Sequence, residues 1–308
     1  MPALDRTSLV KGAGAVTIGS TQIFSKGDIN ARWDPETEAV AVSGFGNIDD
    51  IIVDGKGVIT MQPCGRLTAA MLTALYGPFQ NPEIDSSLFG STDTEMFVNS
   101  FAGQKLTFHN SAVIRPPSLK LSAINTAFDG DMEIRALIKN DTERSAANSC
   151  FTLAAAAFAG SVDRGDIKHL PYTATWGTTA ISVRAGWQVD VDVDVEEFKA
   201  DDYGTIDVWL KGVTVRARCQ PLNLSEALMA DQLTQGTTAS IGSTARQGKD
   251  LTLTAAGGLT IVLKDAQLRE GPVQWGESKL RLGEVGFVAT RSFAAGVYGS
   301  VFTIAMTA

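Results

Sequence analysis

Val189, Val191, Val193 and Val195 alternate without a break with Asp190, Asp192, Asp194 and Glu196. Successive side chains on an extended strand point to opposite faces, so the four valines share one face and the four acids the other. Burying carboxylates without partners costs several kcal/mol per ion, so the acidic face must look onto solvent or a water-filled space. The stretch is therefore either a solvated outer strand or one wall of an aqueous channel. Carboxylates can also act in pairs as general acid and base on either side of a glycosidic bond. Asp49 with Asp50, Glu196 with Glu197 and Asp201 with Asp202 supply such pairs in abundance. Neighbours on a strand diverge, however, and loop acids in a chain of net charge −8 are usually there to keep it solvated. The reading is a protein that is not an enzyme.

Other chemistry finds no foothold. His109 and His169 are the only histidines, and neither has a Cys or His at metal-ligand spacing. The nucleophile-elbow pattern Gly-x-Ser-x-Gly does not occur. Gly242 to Lys249 imitates a phosphate loop, but Asp250 stands where Ser or Thr should bind magnesium. Gly12 and Gly14 lack the third glycine of a dinucleotide fingerprint. No cofactor and no metal is expected. Cys64, Cys150 and Cys219 cannot all pair within one chain, and Cys64 and Cys219, at strand ends, read as inert. Trp33, Trp176, Trp187, Trp209 and Trp275 could form a sugar platform, but read better as anchors of a core or a subunit interface. The acidic balance argues against electrostatic binding of DNA or RNA, which relies on Lys and Arg displacing phosphate counterions.

The elements that must carry these residues are mostly strands. With 44% hydrophobic residues, many short Val/Ile/Thr/Phe runs and few long helical windows, the chain reads as mainly β with real cores. Its most apolar run, residues 150–159, is far shorter than the roughly 20 residues of a membrane-spanning helix. No membrane anchor is expected. The start shows no charged and apolar leader pattern, which together with the cysteines points to synthesis in a reducing cytoplasm.

The two halves resemble each other. Val16-Thr17-Ile18-Gly19 returns as Ala174-Thr175-Trp176-Gly177, 158 residues later, and Lys56-Gly57-Val58 as Lys211-Gly212-Val213 at 155, which also brings Cys64 onto Cys219. The run from Leu67 matches that from Leu224 at 157, Gly130-Asp131-Met132 matches Gly283-Glu284-Val285 at 153, and Phe151-Thr152-Leu153-Ala154 matches Phe302-Thr303-Ile304-Ala305 at 151. The matches stay collinear. Each copy reads as strand, long polar loop, strand, one helix, then more strands. Leu67, Ala70, Met71 and Leu75 share one helical face, as do Leu224, Ala227, Leu228 and Met229. Residues 77–104 and 234–249 read as exposed connections. The expected organisation is an N-terminal arm over 1–15, a first domain over 16–158, a linker over 159–173 and a second domain over 174–308.

In this order of elements the chain resembles the major tail proteins, or tail tube proteins, of long-tailed bacteriophages, in a form with two tandem tube domains. The resemblance implies a fold of two antiparallel β-sandwich or half-barrel tube domains, each flanked by one short α-helix. Its inner strands would be 28–33 and 51–61 in the first copy, 187–196 and 206–219 in the second. The lumen would be lined by Asp190, Asp192, Asp194 and Glu196, with Asn30 and Arg32, and less evenly Asp34, in the first copy. Ring-stacking loops over 34–50 and 197–205 would carry Asp34, Glu36, Asp49, Asp50, Asp201, Asp202 and Tyr203. The implied assembly is a homotrimer, pseudo-hexameric, stacked into a tube in the virion tail and built in the bacterial host cytoplasm. Implied partners are further copies of the chain, tail proteins at the tube ends, a tape measure protein in the lumen, and DNA only in transit. A DNA-encircling clamp would share the pseudosymmetry but needs a basic inner surface, and the composition speaks against it. The alternative is a carbohydrate-binding or adhesin-type β-sandwich.

Overall fold

The computed structural model describes residues 14–306 apart from 44, 66, 90–94, 101–102, 123–125, 138–149, 157, 159–171, 201–203, 223–247, 256–257, 271–272, 276–279, 292 and 295–296. It is mainly β, every pairing is antiparallel, and one helix lies among the described residues. The first half runs β1 (Ala15–Ile18), β2 (Thr21–Ser25), β3 (Asn30–Val42), β4 (Gly46–Met61), β5 (Pro63–Cys64), α1 (Ala69–Gln80), β6 (Ser86–Ser87), β7 (Met96–Asn99), β8 (Gln104–Phe108), β9 (Ser111–Arg115), β10 (Ser118–Leu121), β11 (Thr126–Asp129), β12 (Met132–Ala136) and β13 (Phe151–Ala155). The second runs β14 (Tyr172–Trp176), β15 (Thr179–Ala180), β16 (Val183–Ala200), β17 (Gly204–Pro221), β18 (Lys249–Ala255), β19 (Leu259–Glu270), β20 (Val273–Trp275), β21 (Leu280–Leu282), β22 (Val285–Val288), β23 (Phe293–Ala294), β24 (Val297–Tyr298) and β25 (Phe302–Met306).

Strand order recurs between the halves. The path β13-β8-β7-β1-β2 has its counterpart in β25-β19-β18-β14-β15, and β3-β4-β12-β9 in β16-β17-β22-β19. Strand β19 does the work of both β8 and β9. Asp265, at φ 43°, marks its bend, and Asn110, at φ 39°, occupies the break between β8 and β9. The hairpin turns correspond too, with Gly19 at φ 59° and Gly177 at φ 58°, values that glycine adopts without a Cβ clash. Bulges in β3 at Glu36/Thr37 and Val40/Ala41 recur in β16 at Asp194/Val195 and Phe198/Lys199. Both pairs are 158 residues apart.

This register corrects part of the sequence alignment. Met61 and Cys219 are the residues that hold equivalent places, opposite Met132 and Val285 respectively. Cys64 lies beyond, in β5. The Lys56 and Lys211 runs are likewise three residues out of step, because a local match of Lys-Gly-Val outweighed the hydrogen-bond register that folding obeys.

Two larger corrections concern the supposed loops. Residues 34–50 are almost wholly strand, in a long β3–β4 hairpin whose turn lies between Val42 and Gly46, and β16 and β17 likewise continue to Ala200 and from Gly204. Residues 77–104 contain the end of α1, β6, β7 and the start of β8. Asp201, Asp202 and Tyr203, the second expected helix, and most of the arm, of the linker and of 234–249 lie outside the described residues.

Helix α1 begins at Thr68, whose hydroxyl accepts a hydrogen bond from the Met71 amide at 3.2 Å, satisfying one orphan donor of the first turn. It buries Met71, Leu72, Leu75, Tyr76 and Phe79, while Ala70, expected on that face, is exposed. The core beneath continues into the second half through Trp176, Trp187 and Phe287, with Phe287 5.5 Å from Trp176 and 5.8 Å from Trp187 between ring centres. The Trp176 indole donates to the Ala266 carbonyl at 2.9 Å.

First-half elements complete second-half edges. Strand β10 pairs with β16 (Leu119 opposite Val189, Lys120 opposite Gln188, Leu121 opposite Trp187), and β6 pairs with β17 at Trp209 and Leu210. The β10 seam requires Gly186 at its end, since a Cβ there would lie 2.1 Å from the Leu121 carbonyl oxygen. Helix α1 covers β25. The Val301 amide donates to the Gln80 carbonyl at 3.2 Å, the Ile304 amide to the Gln80 side chain at 2.9 Å, and Tyr76 meets Phe302 edge-on.

Tyr76 also donates its hydroxyl to the Pro117 carbonyl at 2.6 Å, tying α1 to the residue that leads into β10. Both groups are buried. Tyr76→Phe should cost about 1–3 kcal/mol by stranding that carbonyl, read as a lower urea midpoint with an unchanged slope.

Candidate functional site

The alternating strand is β16, and its two faces separate as expected. Val189 and Val191 are buried and Val193 and Val195 half-buried, whereas Asp192, Asp194 and Glu196 are exposed and Asp190 partly so. What period-two reasoning on β16 alone left out is the neighbouring strand. Asp190 lies opposite Arg216, and Gln188 opposite Arg218, so the same face carries cations as well as acids. Arg216 contacts the Asp192 carboxylate at 3.2 Å, and Lys211, the bulged residue of β17, contacts Asp85 at 2.8 Å and Glu196 at 2.6 Å. A uniformly acidic wall is thus corrected to a polar wall on which Arg216 and Lys211 are engaged by carboxylates. Opposite Asp192 and Asp194 stand Thr214 and Gly212, so acidity is greatest in the middle of the strand.

At the β10 seam the wall folds into a cleft of about 200 Å³, lined in part by Arg115, Asp131, Asp190, Arg216 and Arg218. Asp190 is held there by the Ser118 hydroxyl at 2.6 Å and the Gln188 amide at 3.0 Å. Both hydrogen bonds go to the same carboxylate oxygen and position this side chain.

In the first half, Asn30, Arg32 and Asp34 occupy the β3 places equivalent to Gln188, Asp190 and Asp192, and all three are exposed. Glu36, Asp49 and Asp50 are exposed on the outer part of the β3–β4 hairpin. Around its turn this hairpin also exposes Val42, Phe45 (84% accessible), Ile48 and Ile51, an apolar grouping that composition did not reveal.

The two long hairpins are locked together by groups that sequence reading passed over. Asp54 accepts the Thr205 amide at 2.7 Å and the Thr205 hydroxyl at 2.5 Å, and Lys199 lies 3.6 Å away and also pairs with Glu36. Glu197, on the valine side of β16, accepts from Lys56 at 2.8 Å and from Arg135. Beside it, Phe89, Ala112 and Leu137 of the first half pack with Val208 and Val195 of the second. Burial opposes ionisation of Asp54, yet the bonds from Thr205 and the Gly55 amide outweigh it and hold the carboxyl below its ordinary value. Burial likewise opposes ionisation of Glu197, and Lys56 and Arg135 outweigh it.

The remaining candidates are quiet. Trp176 and Trp187 are fully enclosed, Trp33 and Trp209 half-buried against Phe151 and Phe198. Burial pushes the Cys150 thiol up to about 11 and raises Cys219 further, and it raises Cys64 as well. His109 sits 3.2 Å from Glu95, and His169 lies outside the described residues. Among the described residues no cluster of His, Cys, Asp or Glu could hold a metal ion, and no helix is long and apolar enough to cross a membrane. No protein-family model and no curated protein matches the chain.

Because the pKa values of Asp54 and Glu197 are depressed on folding, the stability they lend is present above their ordinary values of 3.8 and 4.5 and is lost as pH falls through the folded values. Asp54→Asn should cost about 1.5–3 kcal/mol at neutral pH and flatten the acid limb of the stability profile. Denaturant melts at a series of pH values between about 6 and about 2.5 measure both; an unchanged acid limb would remove the hairpin lock from the account.

Proposed function

We propose that this chain is a tail-tube building block of a long-tailed bacteriophage, made of two tandem tube modules, with three chains to a pseudo-hexameric ring and rings stacked around a bore. The observation that carries the reading is the recurrence of strand order between the halves together with their unequal finish. Among the described residues, first-half elements meet the β16, β17 and β25 edges of the second half, while the equivalent β3, β4 and β13 edges carry no such cover. A unit with one covered and one uncovered end joins head to tail, and such contacts close into rings when the rotation allows.

The long hairpins suit the stacking role that the resemblance gave to loops. A hairpin arm is a stiffer lever than a loop, and the exposed Phe45, Ile48 and Ile51 near its turn make an apolar contact surface of the kind that marks interaction sites. The polar wall of β16 and β17 suits the bore. Duplex DNA carries one negative charge per roughly 1.7 Å of axis and is held by cations that can replace its counterions. Arg216 and Lys211 are already paired with carboxylates, so a passing duplex meets a wetted surface with little grip. No chemical step belongs to this role. Its partners would be other copies of the chain, end-capping tail proteins, a tape measure protein in the bore and DNA in transit, in a virion assembled in the host cytoplasm. The sugar-binding alternative needs exposed tryptophans, and the enclosure of Trp176 and Trp187 speaks against it.

Negative-stain microscopy of the concentrated purified protein tests the reading: hollow filaments are expected, and discrete particles at every concentration would overturn it. Asp192→Lys with Asp194→Lys, sparing Asp190 at the β10 seam, should leave filaments intact and slow genome ejection from phage carrying the change. Ejection at the normal rate would remove the wall from the mechanism.

A further inference from the structure

The joint that β10 makes with β16 has a counterpart whose two sides are both present in this chain. The β10–β11 hairpin corresponds to β20–β21, since Ser118 pairs with Asp129 in the one as Val273 pairs with Leu282 in the other. Strand β16 corresponds to β3, with matching bulges. Yet β10 adds to β16, whereas among the described residues β20 and β21 pair only with each other and β3 only with β4. One hairpin without an acceptor and one acceptor edge without a hairpin are left over.

A second comparison points to the same occupant. Ile304 of β25 is 6% accessible because α1 lies over it; its equivalent in β13, Leu153, is 66% accessible. Trp209 has β6 alongside, and its equivalent Ile51 is 54% accessible. Among the described residues, each second-half edge that a first-half element covers therefore has a first-half equivalent without such cover. The second helix expected over 224–229 lies outside the described residues.

We infer that a second copy of this chain covers the open first-half edges with its own second half, its β20–β21 hairpin adding to β3 as β10–β11 adds to β16. Carrying the register across, Gln274 of one chain lies opposite Ala31 of the next, and Trp275 opposite Asn30. The contact is heterologous, so each chain gives one hairpin and receives one. This deepens the tube reading by naming the joint between neighbours in a ring. It also accounts for an edge strand as long and exposed as β3, which would otherwise invite unspecific pairing.

Directly opposed residues of an antiparallel pair place their Cα atoms within disulfide range. In a Cys64→Ser background, Ala31→Cys and Gln274→Cys combined in one full-length chain should, on oxidation at assembling concentrations, convert monomer into covalent oligomers on a non-reducing gel. Each single variant should stay monomeric, as should Glu38→Cys combined with Gln274→Cys, which is out of register. Filaments without the cross-link would overturn the joint and leave the tube reading standing. The cross-link in closed oligomers that never stack would uphold the joint and remove the tube. Neither cross-link nor filament would overturn both.

Discussion

A short seam of backbone hydrogen bonds between β10 and β16 joins the sheets of the two halves. A strand edge is a row of unpaired donors and acceptors, and it must be paired, covered or kept wet. Here the outer edge of the second half is paired by a hairpin from the first, its β25 edge is covered by α1, and its distal β17 edge is met by β6. The consequences reach the core. Tyr76 packs on Phe302 of the other half and hydrogen-bonds the residue that leads into the seam, so helix, seam and second-half sheet settle together. Among the described residues the same arrangement is asymmetric, since the equivalent β3, β4 and β13 edges carry no such cover, and the proposed assembly follows from that asymmetry.

The hairpins add a second constraint, electrostatic where the first is hydrogen-bonded. Glu197 and Asp54 are drawn into the contact between β3–β4 and β16–β17, where removal from water would cost several kcal/mol per ion without partners. Lys56, Arg135 and Thr205 supply those partners. The hairpins are thereby fixed side by side, and the charged face of β16 is turned away from the valine side, which packs on the first half. What a ligand would meet on that face is carboxylates interspersed with the cations Arg216 and Lys211, which pair with Asp192 and Glu196, rather than an unbroken row of bare acids.

Much of this was legible in the residues. Strict alternation over 189–196 identified a strand and its two faces, and collinear matches identified equivalent turns at Gly19 and Gly177. The β3–β4 hairpin was not legible as strand because residues such as Asp34, Glu36, Glu38, Asp49 and Asp50 are solvated, and a strand wet on both faces shows no apolar period to detect. The Cys64–Cys219 match misled because an identical residue a few places along is cheap, whereas pairing register is imposed by bulges that leave no mark in composition. Arg216 and Arg218 were visible on their own strand. Only the pairing of β16 with β17 brings them beside Asp190 and Asp192. Asp54 and Thr205, far apart in the chain, gave no signal at all.

Backbone amide exchange measures the central claim, that the finished edges of the second half foreshadow a contact between chains. Followed by mass spectrometry on dilute protein and again on concentrated protein, amides of β16 and β25 should be protected in both conditions, while those of β3 and β13 should exchange quickly when dilute and slow markedly when concentrated. Exchange in β3 and β13 that stays fast at all concentrations, in material that has nonetheless assembled, would contradict it.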